Sequence, residues 1–272
     1  MQQGKYVGQL QEKWTFPSDH LPIGILLDGI RIISWNVLNS NALKWLIEKD
    51  VLGLRNSSIG RDNIPYNERI SIRENNVLDI LLLMLEESVI LAIQECSPLF
   101  LEELRIRVSN RDLILAKDGV LDQNITIFNK SRLQLVSIEN PTIFSKKPTW
   151  TLQNIVFFDR IREINFRIIN TRLPGEPGNP APKELLDYAK QYSDELLIII
   201  GDMNITDLEM AKYMQDNQID AKLIAPYCTN IQPYEFFSKS IDHFLLFNAN
   251  QVITLDPEQV HKGLSRDLSH LQ

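Results

Sequence analysis

Cysteine and histidine are both scarce in this chain, with 2 and 4 copies in 272 residues. Cys96 and Cys228 stand far apart without metal-binding spacing. That excludes a disulfide framework and points to reduced thiols in a reducing compartment. Glycine is sparse at 11 residues, and no low-complexity tract interrupts an otherwise ordinary globular composition. No run approaches the ~18 apolar residues that a membrane span needs. Residues 1–13 are polar and lack the apolar centre of a secretory signal. We therefore expect a soluble, cytoplasmic protein with 1–13 as an N-terminal arm, leaving open secretion by a route that needs no such signal. A positive charge balance is missing too: the formal charge is −7. That argues against holding nucleic acid by a generally basic surface, while a local basic patch or a bound cation remains compatible with it.

What is present begins with Pro17–Leu38. Asp28-Gly29 joins two apolar runs, Leu21–Leu27 and Ile30–Trp35, and Asp-Gly between hydrophobic runs is the strongest short-range hairpin signal. Pairing these runs brings Asp19-His20, at one end, beside Asn36. Such a trio suits either a site or a plain Ser18-Asp19 turn cap with an exposed histidine. Further along, residues 41–49 read as a short helix and 53–65 as a loop. The spacing of Ile70, Val77, Ile80, Leu81 and Met84 predicts a helix over Glu68–Glu87, with Arg69, Arg73, Glu74 and Asp79 on the polar side. Val89–Ile93 reads as a strand running into Gln94-Glu95. Ser97-Pro98 starts a helix ending near Val108.

From Leu113 the texture becomes β-rich. Strands are expected over Leu113–Ala116, Asn124–Phe128, Leu133–Ile138, Asn154–Phe158 and Glu163–Asn170, separated by turn residues. Leu173–Pro182, with four prolines and two glycines, reads as a rigid loop before a helix over Lys183–Ser193. Leu196–Ile200 is an apolar strand ending in Gly201-Asp202-Met203-Asn204. Thr206 or Asp207 then caps a helix over Leu208–Asn217, and Ile241–Phe247 and Val252–Leu255 close the chain as strands. Many strands with a few helices between them imply an α+β fold of two packed sheets with helices outside, in a single domain spanning 1–272.

The polar residues cluster at strand ends: Asn36 after Trp35, Glu95 after Ile93-Gln94, Asp202 and Asn204 after Ile200, Asp242 at the head of Ile241–Phe247, and Asp19-His20 at the head of the hairpin. One such residue is ordinary turn chemistry. The set together is the oxygen-rich donor chemistry that Mg²⁺ selects, and a cation between carboxylates would let them face an anionic phosphate.

In order, WNVL, IQEC, NTRLPG, GDMN and SIDHFLL resemble the motifs of the endonuclease/exonuclease/phosphatase superfamily, from about Trp35 to Phe247. The resemblance implies a four-layer α/β/β/α sandwich of mainly antiparallel sheets. It implies a Mg²⁺-dependent hydrolase of phosphate esters or phosphodiesters, with Mn²⁺ as a substitute. That family ends in Ser-Asp-His followed by a strand, whereas SDHLPIGILL stands here at the front. The resemblance thus implies a circular permutation, made inexpensive by neighbouring chain ends and a tight turn. Leu268-Ser269-His270-Leu271 is the rival position for the histidine, although it has no Asp before the His.

On this resemblance Asn36, Glu95 and Asp19 would hold the metal. Asp202 would be ligand or base, Asn204 would lie near the water and phosphate, and His20 would be base or transition-state stabiliser oriented by Asp242. Arg172 stands where the family has histidine. Arginine binds phosphate bidentately yet gives up no proton, which implies slower leaving-group departure. The alternative is a catalytically weakened member that binds a phosphorylated ligand or a protein. The substrate class stays open between RNA or DNA, an inositol phosphate and a phospholipid head group. Lys146-Lys147 and Arg160-Ile161-Arg162 are the local basic spots, and a monomer is expected.

Overall fold

Asp28 and Gly29 both have positive φ, 47° and 79°. This is the two-residue turn whose twist matches a hairpin, and it joins β1 (Ile23–Leu27) to β2 (Ile30–Asn36) in antiparallel register. The computed structural model describes residues 18, 20–38, 66–108, 112–115, 123–150, 152–176, 178–225, 230–232, 235–255 and 257–260. The helix expected at 41–49, the loop at 53–65, Asp19, Cys228 and His270 lie outside the described residues.

One sheet runs β14 (Val252–Leu255), β1, β2, β3 (Ile90–Cys96), β5 (Gln123–Phe128), β4 (Asp112–Leu115). The other runs β10 (Lys222–Ile224), β13 (Asp242–Phe247), β9 (Leu197–Asp202), β8 (Ile164–Arg172), β7 (Gln153–Asp159), β6 (Leu133–Glu139). Only β2–β3 and β8–β9 pair in parallel within these sheets. A ribbon of β11 (Asn230–Gln232) and β12 (Glu235–Lys239) stands apart in pairing. Residues of α1 (Tyr66–Glu87) and α2 (Pro98–Arg107) bury Val77, Leu81, Phe100 and Leu104 against the outer face of the first sheet. Those of α3 (Ala181–Ala189) and α4 (Asp207–Asp216) bury Leu185, Leu186, Met210 and Met214 against the outer face of the second. The fold is therefore the expected α+β sandwich of helices, two mainly antiparallel sheets and helices. Among the described residues no helix is long and apolar enough to cross a membrane.

Local chemistry explains the boundaries. Ser97 caps α2, its Oγ accepting from the Phe100 amide at 3.2 Å, with Pro98 in the first turn. Thr206, rather than Asp207, caps α4 in a reciprocal capping box with Glu209. Helix α3 starts earlier than expected because Pro182 fits its first turn, and it tightens into a 3₁₀ turn at Lys190–Tyr192. Strands β3 and β8 extend beyond their apolar runs through Gln94–Cys96 and Thr171–Arg172. Backbone pairing continues there although the side chains turn polar. The short strands β10 to β12 and a one-turn helix α5 (Pro257–Val260) escape the sequence reading. Arg73 also departs from expectation. It is buried, not on the solvent side, and donates to the carbonyls of Val37 and, at 2.6 Å, Leu38.

Side chains alternate across each strand, and the inward set forms the central core. Phe128, Phe157 and Phe166 stack with centroids 4.9 and 5.7 Å apart in the middle of it. Near the hairpin turn the buried Asp159 closes this layer. Arg132 reaches it at 3.2 Å and also donates to the Gly29 carbonyl at 2.7 Å. Arg162 pairs with Asp28 at 2.7 Å beside the same turn. The Arg160–Arg162 spot thus lies at the end of the hairpin away from Asn36.

Burial alone would raise the Asp159 pKa; the Arg132 hydrogen bond and charge and the Ile161 and Arg162 amides outweigh it and hold the carboxyl below its ordinary value. That stabilisation is complete above the unfolded carboxyl's ~4 and is lost as pH falls through the lowered folded value. Arg132→Met, which strands a buried carboxylate, is expected to cost about 3–5 kcal/mol at pH 7. Urea unfolding should show the gap to wild type narrowing in acid; a loss under about 1 kcal/mol at pH 7 would contradict a buried, paired Asp159.

Candidate active site

Followed toward the end away from the hairpin turn, the inward face changes from apolar to polar on strand after strand. On β2 the inward residues are Ile30, Ile32, Ser34 and Asn36; on β8 they are Phe166, Ile168, Asn170 and Arg172; on β9, Ile198, Ile200 and Asp202. On β13, running the other way, Asp242 precedes Phe244 and Leu246. Strand β3 contributes two consecutive residues. Between Ile93 and Cys96, both packed toward the helices, it carries one extra residue relative to β5. Glu95 there has φ 61°. The bulge turns Glu95 inward beside Gln94, a re-aiming that bulges near sites commonly perform.

Beneath the site a buried amide layer ties the sheets together. Gln94 Nε2 donates to Asn170 Oδ1 at 2.8 Å and to Ser34 Oγ at 3.2 Å. Asn170 Nδ2 donates to Gln153 Oε1 at 3.0 Å and to the Ile125 carbonyl at 3.1 Å. Thr126 adds its hydroxyl to Gln153 at 2.8 Å. The sequence reading missed this layer as a functional support. Period-two counting from the core residues, which places Gln94 and Asn170 inward, is the signal that finds it.

Above the layer the expected residues meet. Asn36 Nδ2 donates to Glu95 Oε1 at 2.6 Å and to Asp202 Oδ2 at 3.0 Å, and Asn36 Oδ1 accepts the Leu38 amide at 2.9 Å. Asp202 and Asp242 face each other across β9–β13. Asn204 braces Asp202 and the loop after β8. Its backbone N–H donates to Asp202 Oδ1 at 2.9 Å, and its Nδ2 donates to Asp202 Oδ2 at 3.0 Å and to the Leu173 carbonyl at 2.7 Å. The last bond seats the proline-rich loop beside the site. Arg172 Nε lies 2.9 Å from Glu95 Oε1 and 3.9 Å from Asp202 Oδ2, with its guanidinium carbon 4.9 Å from the Trp150 ring centre.

The chain's beginning completes the cluster. His20 Nδ1 lies 2.9 Å from Asp242 Oδ2, across 222 positions of sequence. Ser18 and Trp35 fix the approach. The Ser18 hydroxyl donates to the Asn36 carbonyl at 2.6 Å, and the Trp35 indole N–H donates to the His20 carbonyl at 3.0 Å. His20 is therefore buried and held, not an exposed turn residue. His243, next to Asp242, alternates to the other face. Its Nε2 lies 2.9 Å from the Ile205 carbonyl and burial lowers its pKa, so it is a neutral packing residue. Asp19 and His270 lie outside the described residues.

Burial, with the charges of Asp242 and Glu95, pushes the Asp202 carboxyl up to about 7 against the opposing pull of His20 and Arg172. Among the described residues, ligand atoms of His20, Asp202 and Asp242 come within 4.8 Å of one another. The expected pair Asn36 and Glu95 adjoins this group through Asp202. His20 Nδ1 is engaged by Asp242 and Asn36 Oδ1 by the Leu38 amide, so the oxygens of Glu95 and Asp202 are the better donors. Two buried carboxylates sharing one amide, one of them reluctant to ionise, is a set that a hard divalent cation fits.

The comparisons with known proteins agree on architecture. An endonuclease/exonuclease/phosphatase from Bacteroides vulgatus is 14% identical, with 84% of this chain and 88% of that one covered and a TM-score of 0.59. A family protein of that same description from Bacteroides thetaiotaomicron is 14% identical over 84% of both chains, with a TM-score of 0.58. The human Nocturnin catalytic domain with bound sulfate is 16% identical, covering 80% and 82%, at 0.55. This chain has the endonuclease/exonuclease/phosphatase fold. No protein-family model and no curated protein matches its sequence.

At Gly201 the backbones of β8 and β9 leave no room for a side chain. It has φ 138°, and a Cβ there would lie 1.8 Å from the Thr171 carbonyl oxygen. Gly201→Ala is expected to lower stability by about 2 kcal/mol or more and to displace Asp202. Thermal melting and a fingerprint NMR spectrum check this; an unchanged melting temperature would contradict so tight a contact.

Proposed function

We propose that the protein is a Mg²⁺-dependent hydrolase of phosphate esters or phosphodiesters. The observation that carries this reading is the convergence of Asn36, Glu95, Asp202, Asp242 and His20, from five separate segments, at one end of a closed sheet interface. Bound sulfate in the Nocturnin domain of the same fold is consistent with an anion-binding site. The metal, held by Glu95 and Asn36 with Asp19 as a further ligand, would neutralise charge on the phosphoryl and leaving oxygens, with Mn²⁺ able to substitute.

The chain's own residues account for the rest. Asp202, braced by Asn36 and Asn204, is placed to take a proton from water as the water oxygen attacks phosphorus and the ester P–O bond breaks. Asn204 and Asn36 hold that carboxylate in place. Asp242 fixes His20 with Nδ1–H toward the carboxylate, so the other ring nitrogen is the one aimed at substrate. Arg172 offers charge to the phosphoryl oxygens. The leaving oxygen takes its proton from solvent, because the guanidinium has none to give. The pairing of His20 with Asp242 also supports the permutation reading, in which SDHLPIGILL is the family's closing motif carried at the front.

A second reading, a phospho-ligand or protein-binding module, draws on the Arg172–Glu95 ion pair, which engages an expected metal ligand. The substrate stays a phosphorylated molecule of undetermined class. Lys147 is paired with Glu176 at 2.8 Å and lies 5.9 Å from the same Trp150 ring centre that Arg172 approaches.

Hydrolysis of a chromogenic phosphodiester separates these readings. Activity should require Mg²⁺ and fall by at least about a hundredfold in Glu95→Ala and His20→Ala, while His270→Ala keeps it. Loss at His270 would overturn the permutation. Mg²⁺-independent turnover, or full activity in Glu95→Ala, would overturn the metal-dependent reading of this site.

A further inference from the structure

Glu95 Oε1 has two suitors. It accepts from Asn36 Nδ2 at 2.6 Å and lies 2.9 Å from Arg172 Nε. The same guanidinium lies 3.9 Å from Asp202 Oδ2, the oxygen that Asn36 and Asn204 also reach. The charge of the two carboxylates best suited to a divalent cation is therefore already partly offset by a side chain of β8. A cation seated on Glu95 and Asp202 would meet a permanent positive charge at contact range, and like charges so close in a buried site repel strongly. In this same conformation Arg172 also keeps a contact outside the carboxylates. Its guanidinium carbon is 4.9 Å from the Trp150 ring centre, a distance at which a cation is attracted to the aromatic face. Trp150 follows the turn that carries Lys147.

An anion at this mouth changes the balance. A phosphate offers a guanidinium two parallel charge-assisted hydrogen bonds, whereas Glu95 presents an oxygen that it must share with Asn36. Drawing Arg172 toward the anion removes the competing charge from Glu95. We propose that Arg172 couples the two ligands: without an anion it occupies Glu95 and opposes the divalent cation, and a phosphoryl group draws it away, so cation and phosphate bind cooperatively. This inference rests on the hydrolase reading. It assigns Arg172 a coupling role that a neutral side chain at the same position lacks, and by linkage the cation must tighten phosphate binding by the same factor.

The test is Mn²⁺ binding by isothermal titration at constant ionic strength, with and without sulfate as the phosphate probe, corrected for Mn²⁺–sulfate pairing in solution. In wild type, saturating sulfate should tighten Mn²⁺ binding about fivefold or more. Arg172→Met should bind Mn²⁺ about tenfold tighter than wild type without sulfate and show no sulfate effect. Arg172→Gln serves the same purpose if the methionine variant melts early. A sulfate-independent Mn²⁺ affinity in wild type, or an affinity that neither Arg172 variant raises, overturns the coupling while a loss of binding in Glu95→Gln leaves the metal site standing. Absence of Mn²⁺ binding in wild type and both variants overturns the coupling and the hydrolase reading together.

Discussion

Everything at this site depends on how two sheets close over one another while one end of their shared layer turns polar. Apolar inward residues need no partners, so the phenylalanine-filled middle is free to pack by shape alone. Polar inward residues must find hydrogen bonds or forfeit more than they contribute. The Gln94–Asn170 layer resolves that conflict. It joins side chains of β2, β3, β5, β7 and β8 and accepts the transition from hydrocarbon to carboxylate within a few ångströms. Networks of this kind specify a single alignment, because a one-residue slip of any strand would bury unpaired amides. The alignment that pairs the amide nitrogens of Gln94 and Asn170 is the one that brings Asn36 between Glu95 and Asp202.

Charge sets the second constraint. Glu95, Asp202 and Asp242 approach one another in a place where burial already resists ionisation, and the raised pKa of Asp202 is the consequence. The fold answers with positive charge and donors from several directions: His20 on Asp242, Asn36 and Asn204 on Asp202, Arg172 on Glu95. At the opposite end of the layer a single carboxylate, Asp159, is fully answered by Arg132 and is purely structural. The difference between the two ends is the excess of acid over base, and that excess is what a divalent cation would relieve.

Much of this was legible in the amino-acid sequence, for physical reasons that differ by element. The Asp28-Gly29 hairpin, the Ser97 cap and the apolar strand at Leu196–Ile200 announce themselves because each depends on local backbone chemistry. The polar strand ends were visible as a pattern, and the family resemblance gave the residues an order. Four features were hidden. Arg73 lies on the polar side of its helix by spacing, yet Val37 and Leu38, just past β2 and distant in sequence, present it with carbonyls. The bulge at Glu95 leaves no local signature, since it arises from pairing with β5. The approach of Arg172 to Glu95 arises from the packing of one sheet on the other, and the bond from Asn204 to the Leu173 carbonyl from the parallel registration of β8 and β9, neither of which the local sequence displays.

The most direct measurement is anomalous diffraction from crystals grown with Mn²⁺. If the polar end of the sheet interface is a metal-dependent phosphoryl site, an anomalous peak should lie on the Glu95 carboxylate and within reach of Asn36 and Asp202. Manganese bound only at surface carboxylates, with Glu95 still paired to Arg172 at saturating metal and sulfate, would contradict the account.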